Sequence, residues 1–232
     1  MTHLSTITNL LRRNIVFCTL SLILVAVLGL ALLYIPKGEL HLLLCDRHTP
    51  ARDIFYRYYT QIAEWFPYAV CVLILLFGRI GDGAMASASM AVSGLATQGF
   101  KYLADTDRPL TWFAHNMPDI TLPLVEGVRM SKFYSFPSGH TTSFFALAFV
   151  VCILATRILS EKRSYCLSAL LQTALFALAA LGGYSRIYLS QHFPEDIAGG
   201  VIVGLLITLL CYVVFYRFKD QKWYNYRIFA KK

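Results

Sequence analysis

Three short polar clusters interrupt a chain otherwise built of long apolar blocks: Lys101–Pro109 (KYLADTDRP), Pro137–His140 (PSGH) and Ser185–Asp196 (SRIYLSQHFPED). Their residue types suit an anion and a nucleophile. Lys101, Arg108 and Arg186 bring three cations. Arg offers a planar fork that matches phosphate oxygens, and Lys adds a point charge. Ser138 and Gly139 stand where a helix is expected to begin, and free backbone N–H groups and the helix dipole favour an anion there. Gly139 lets the backbone approach closely. Pro137 suits the first helical turn, where its missing N–H costs nothing. Two histidines complete the set. Neutral imidazole can attack phosphorus, and imidazolium can protonate a leaving oxygen. His192 lies four residues before Asp196, across Pro194. That spacing lets the carboxylate reach back to one ring nitrogen, fix the tautomer and stabilise the cation formed on attack. His140 remains as the proton donor.

The elements that position these residues are membrane helices. Of the 232 residues, 57% are hydrophobic and 15% charged, where a soluble domain carries about a quarter charged. The fold class is all-α: a polytopic membrane protein, read as a single domain over residues 1–232. A helix needs about 20 apolar residues to cross the hydrocarbon core. Six candidate spans follow: Asn14 to Ile35, Ile62 to Phe77, Ala84 to Leu103, Gly139 to Leu159, Tyr165 to Tyr184 and Glu195 to Tyr216. The third has the weakest hydropathy, but its small residues (GAMASASMAVSG) suit close helix packing, as does Gly200 to Gly204 (GVIVG). The first is too long for a signal peptide and is not followed by a small-residue cleavage site, so it reads as an uncleaved anchor.

Six spans put both termini on one side, and the three polar clusters at span ends on the other, where they can share one mouth. The net charge of +8 falls on the terminal side, with Arg12, Arg13, the Arg79 turn, the RILSEKR turn and the C-terminal tail. That side is expected to be cytoplasmic. The basic balance therefore reflects membrane orientation and excludes nucleic-acid binding as its explanation. The tail (RFKDQKWYNYRIFAKK) reads as a solvated, lipid-touching anchor. The six cysteines contain no CxxC pair, and only Cys45 is expected clearly in an outside loop, so neither a disulfide framework nor a zinc site is indicated.

The clusters resemble the signature of the type 2 phosphatidic acid phosphatases, the PAP2 superfamily: K-x6-R-P, P-S-G-H and S-R-x5-H-x3-D. Here they stand as Lys101…Arg108-Pro109, Pro137-Ser138-Gly139-His140 and Ser185-Arg186…His192…Asp196, with every fixed position matched in order and spacing. The first two spans carry no signature. The resemblance implies a six-span helical fold and a metal-independent phosphatase, without cofactor, acting on a phosphorylated membrane lipid. It implies His192 as the nucleophile forming a phosphohistidine, Asp196 as its orienting carboxylate and His140 as the general acid. Lys101, Arg108, Ser138, Gly139 and Arg186 would hold the phosphate oxygens. The expected setting is a bacterial inner membrane with the active site periplasmic. Lipid A, at its 1- or 4′-phosphate, is the leading substrate, with undecaprenyl pyrophosphate, phosphatidylglycerol phosphate and phosphatidic acid as alternatives. A lipid phosphotransferase and a non-catalytic lipid-phosphate transporter are the competing functions. Oligomeric state is left open.

Other candidates read as structural. His41, His48 and His115 are expected as solvated or interfacial loop histidines. Asp105 and Asp107 balance the charge of Lys101 and Arg108. Phe55, Tyr56, Tyr58, Tyr59, Trp65, Phe66 and Tyr68 read as an interfacial belt, with a wall for a lipid tail as the sharper reading. Glu126, Arg129 and Lys132 read as solvated, or as contacts for a head group.

Overall fold

A computed structural model describes residues 3–161 and 164–229. These residues form helices α1 (His3–Arg13), α2 (Ile15–Tyr34), α3 (Lys37–Cys45), α4 (Pro50–Phe77), α5 (Ile80–Ala104), α6 (Pro109–Asn116), α7 (Gly139–Glu161), α8 (Tyr165–Tyr188), α9 (Pro194–Tyr216) and α10 (Lys222–Asn225). Five of them, α2, α4, α7, α8 and α9, are long and apolar enough to cross a membrane. The expected third span is a helix of 25 residues, α5, but it does not join the apolar set, because Ala, Ser and Gly replace its large aliphatics. Lys162 and Arg163 of the RILSEKR turn, and residues 230–232 of the tail, lie outside the described residues.

The most enclosed of the five apolar helices is α7, which packs against α4, α5, α8 and α9. Phe145 and Phe149 on α7 meet Phe17 of α2, the latter pair stacked at 5.6 Å. On another face, Ala146 and Val150 meet Met85, Ala86 and Met90 of α5. The small residues of α9 bring it close to α7: a Cβ added at Gly204 would stand 2.9 Å from the Thr142 carbonyl, and one at Gly200 2.8 Å from that of Ser138. The GVIVG stretch thus serves packing within the chain, and it seats α9 beside the start of α7.

Several elements differ from expectation. The second span begins twelve residues earlier, at Pro50, where Thr49 caps α4 by accepting from the Arg52 N–H at 3.3 Å, and proline occupies the first turn. The fifth span runs on to Tyr188, placing Ser185 and Arg186 in its last turn. Asp82, expected in a turn, is buried in the first turn of α5. It pairs with Arg157 of α7 at 3.0 and 2.6 Å and accepts from the Tyr224 hydroxyl at 3.0 Å. That contact draws the tail onto the bundle: Tyr224 is buried, whereas Trp223, Tyr226 and Phe229 are exposed as an anchor would have them.

His41 is the largest departure. It is not a solvated loop histidine but is wholly buried on α3, with its ring 5.2 Å from that of Phe193 and 5.7 Å from that of Phe113. Nε2 lies 3.4 Å from Ser190 Oγ, which itself donates to the Pro123 carbonyl at 3.0 Å. The serine is therefore an acceptor for Nε2–H, and Nδ1 is buried with no partner. Burial, opposed only by the more distant Asp196, brings His41 down to about 4. The unfolded chain takes up this proton near the ordinary value of 6.5, and the folded chain only near 4. His41 thus costs the fold nothing above pH 6.5, and it withdraws about 3 kcal/mol of stability as pH falls from 6.5 towards 4. His41→Gln is expected to flatten that decline, read as melting temperature against pH in detergent. Cys45, expected in an outside loop, is likewise buried, at the end of the same helix. His48 is half-buried, with Nδ1 2.9 Å from Asp53 and its ring stacked on Tyr188. His115 is exposed, as expected.

Candidate functional site

Three helix ends converge at one end of the bundle. The last turn of α5 carries Lys101, the first turn of α7 carries Gly139 and His140, and the last turn of α8 carries Arg186. A loop of five residues joins α8 to α9 and carries Gln191 and His192. It is tight because the N–H groups of Gln191 and His192 both donate to the Arg186 carbonyl, at 2.9 and 3.2 Å, with Ser190 left-handed at φ 50°. Pro194 opens α9, and Asp196 in its first turn accepts from the Phe193 N–H at 2.8 Å. The same carboxylate oxygen, Oδ2, accepts from Ser135 Oγ at 2.5 Å and lies 3.2 Å from His192 Nδ1. An ionised carboxylate only accepts, so Nδ1 carries the proton and Nε2 keeps its lone pair. His192 is 1% exposed. Burial first, then Arg108, Arg186 and Lys101, pushes it well below its ordinary value, so it stays neutral and nucleophilic at pH 7.

His192 lines a cavity of about 490 Å³, together with His140, Gly139, Lys101, Arg108 and Arg186. Arg186, 6% exposed, donates to Thr60 Oγ1 of α4 at 2.7 Å and to Gln191 Oε1 at 3.4 Å. Arg108 reaches the same Gln191 oxygen at 3.3 Å, so one amide aligns both guanidinium groups. Lys101 Nζ donates to the Tyr134 carbonyl, and Arg108 Nε to that of Phe133 at 3.0 Å. Gln191 Nε2 donates to the Arg129 carbonyl at 3.2 Å, and Arg57 to that of Glu126 at 3.1 Å. These bonds pin the segment 117–138 beside the cavity. Arg129 lines it, while Glu126 meets Arg57 through its backbone.

Seven of the eight residues singled out as a site thus line one cavity or contact His192 within it. Ser138 is placed differently. It is wholly buried, its N–H donates to the Asp196 carbonyl at 3.0 Å, and its hydroxyl sits 2.9 Å from Thr141 Oγ1 and accepts from the Thr141 N–H at 3.4 Å. It caps α7 and leaves Gly139 and His140 at the first two helical positions, whose N–H groups have no intrahelical acceptor. Pro137 accordingly precedes the cap and is not in the first turn. Thr60, Glu64, Ser135 and Gln191 are cavity or support residues that sequence reasoning missed. Ser135 and Gln191 lie one or two residues from signature positions, but α4 offered no signal.

Long apolar helices around a cationic cavity that holds two histidines define a multi-pass membrane protein built to handle an anion. The PAP2 superfamily profile matches residues 82–220, more than half of the chain. The lipid A 4′-phosphatase of Porphyromonas gingivalis is 28% identical over 183 residues, covering 75% of this chain and 70% of that protein. In fold, the chain is similar to the crystal structure of Aquifex aeolicus LpxE, with a TM-score of 0.56 and 24% identity, covering 79% of this chain and 96% of the other. A transmembrane PAP2-type phosphatidylglycerolphosphate phosphatase from Bacillus subtilis gives a TM-score of 0.52 at 20% identity, covering 90% and 99%. The chain belongs to the PAP2 superfamily, and with it to the membrane lipid phosphatases.

Proposed function

We propose that this protein cleaves a phosphate from a membrane lipid without a metal ion, through a phosphohistidine on His192. The observation that carries the reading is the Asp196–His192 pair, which leaves Nε2 unprotonated beside a cavity rich in cations. Nε2 attacks phosphorus while the bond to the lipid oxygen breaks. His140 gives that oxygen its proton, and Asp196 stabilises the imidazolium as it forms. Water then attacks phosphorus, His140 takes its proton, and the P–N bond breaks to release inorganic phosphate. Lys101, Arg108, Arg186 and the Gly139 N–H hold the phosphate oxygens. Ser138 acts by fixing the helix end.

A lipid substrate fits an apolar recess of about 550 Å³ that runs along α4, α7 and α8 and is lined by Tyr59, Ile62, Trp65, Phe66, Phe144 and Val151 among others. Its lining residues Trp65 on α4 and Phe144 on α7 stand one residue from Glu64 and one turn from His140 of the cavity. Tyr59, Trp65 and Phe66 of the aromatic cluster thus form a tail wall, while Tyr56 packs on Tyr184 and Tyr188. Val151 lies about 16 Å along the helix from His140. Val151→Trp is expected to raise KM about threefold to tenfold for a long-acyl substrate and to spare one with six-carbon chains. Packing contacts set that modest scale, since a tail leaving lipid gains no hydrophobic energy. Equal KM changes for both substrates would place the tail elsewhere.

We read α5 as the sixth span, since it packs between α4, α7 and α9. The Arg-rich end then faces the cytoplasm, and the cavity faces the periplasm of a bacterial inner membrane. Lipid A is the leading substrate, supported by the Porphyromonas relative. The test is phosphate release by the purified protein in EDTA from lipid A, undecaprenyl pyrophosphate, phosphatidylglycerol phosphate and phosphatidic acid. Chelation-resistant release from one of them supports the reading. Loss of release in EDTA, or phosphate appearing on a second lipid in place of solution, overturns it.

A further inference from the structure

The five cations that line the cavity, Arg57, Lys101, Arg108, Arg129 and Arg186, face one carboxylate among its described lining residues, Glu64. Glu64 lies on α4, outside the segment the family profile matches. Its Oε1 is 3.3 Å from His140 Nε2. We propose that Glu64 is the positioning carboxylate of His140: it accepts a hydrogen bond from Nε2–H, holds the ring, and favours the imidazolium so that Nδ1 delivers a proton to the departing lipid oxygen. This inference rests on the phosphohistidine reading.

Without Glu64, an imidazolium at position 140 would be unfavourable. Arg57 on α4, Lys101 on α5, Arg186 on α8, and Arg108, Arg129 and the phosphorylated or free His192 from the loops face the cavity, and every side-chain charge among them in the resting site is positive. A carboxylate in contact with the ring offsets that repulsion at the one nitrogen it touches. Among the described residues Nδ1 has no hydrogen-bond partner in the protein, and it is not among the buried unsatisfied atoms. The ring is thus held at one nitrogen and open at the other, with the two atoms exchanged relative to His192, which is held at Nδ1. Trp65 and Phe144, one residue and one turn away along α4 and α7, line the apolar recess. A lipid whose tail lies in that recess would release its alcohol beside this pair. In the step, the P–O bond breaks, the Nδ1 proton moves to the lipid oxygen, and His140 becomes neutral with its remaining proton on Nε2 against Glu64. Hydrolysis of the phosphohistidine, in which water attacks phosphorus and the P–N bond breaks, returns a proton to Nδ1.

The test compares leaving groups. A lipid alcohol needs the proton, whereas p-nitrophenolate departs without it. Glu64→Gln is expected to lower kcat/KM for the lipid about tenfold to a hundredfold. The ratio of the lipid rate to the p-nitrophenyl phosphate rate should fall about tenfold. The alkaline limb of the lipid pH profile should move to lower pH, because the uncharged amide no longer favours imidazolium, and Glu64→Asp should recover part of both effects. An equal loss on both substrates makes Glu64 structural, and no loss makes it a surface partner only; either overturns the proposal. Where wild type does not turn over the aryl phosphate, an unmoved alkaline limb overturns it. Wild type and His192→Ala run alongside. Hydrolysis that survives in His192→Ala sinks the phosphohistidine reading itself, whereas an unchanged ratio with an inactive His192→Ala sinks only the role of Glu64.

Discussion

His192→Ala is expected to lower phosphate release about 10⁶-fold, the scale seen when the principal group of a nucleophilic triad is removed. The size follows from what is lost. The P–N bond cannot form, so the two-step route closes, and water must attack directly in a cavity that still binds the phosphate. The cations remain, so substrate affinity should change little while kcat collapses. Folding should survive, because the loop keeps its backbone bonds from Gln191 and position 192 to the Arg186 carbonyl and its Ser190 tether to Pro123. The decisive measurements are kcat with the identified lipid, melting temperature beside wild type, and acid-sensitive phosphoenzyme trapped from wild type by rapid quenching. Retained turnover in a folded His192→Ala protein would move the nucleophile to another residue or to water.

Asp196→Asn is expected to cost about 10⁴-fold in kcat, with KM nearly unchanged. The carboxylate oxygen that faces His192 Nδ1 also accepts from Ser135 and from the Phe193 N–H. An asparagine keeps this set only with its carbonyl oxygen in that position, and it then brings no negative charge to the imidazolium. If its amide nitrogen faces Nδ1, it donates where the aspartate accepted. The imidazole then carries its proton on Nε2, the atom that must attack, and the developing cation loses its counter-charge. Asp196 is 1% exposed, so water cannot replace the missing acceptor. A smaller loss, below about tenfold, would show that the Ser135 hydroxyl, 3.4 Å from Nδ1, holds the ring without help from the charge. The Ser138 N–H bond to the Asp196 backbone carbonyl is untouched by this change, so the signature segments stay joined and the effect reports chemistry.

Substrate chemistry and membrane sidedness are set by different parts of the molecule. On the proposed reading, the cavity would recognise a phosphate through charges that any lipid phosphate satisfies, and selection among lipids would fall to the recess along α4, α7 and α8 and to the segment 117–138, which contributes Gly127, Val128, Arg129 and Ser131 to the cavity wall.

The amino-acid sequence by itself determined the helical class, the approximate extent of the five apolar spans and the signature residues that the fold gathers around the cavity, because apolar runs of membrane length and fixed polar spacings are local properties. Pro194 and Asp196 announce the start of α9, and the four-residue step from His192 to Asp196 is short enough to imply contact before any fold is known. Tertiary structure decided what depends on distant segments. His41 stands 149 residues from Ser190, and its polar neighbourhood in the chain gave a solvent reading that burial between Phe113 and Phe193 reversed. Ser138 looks like a phosphate donor from its motif, but Asp196 takes its N–H only once α9 lies against α7. Thr60 and Glu64 sit on a helix without any signature, and they enter the cavity because α4 packs against α5, α7 and α8. The reason is common to all three: partners in an ion pair or hydrogen bond are chosen by proximity in space, which helix packing sets and local pattern does not encode.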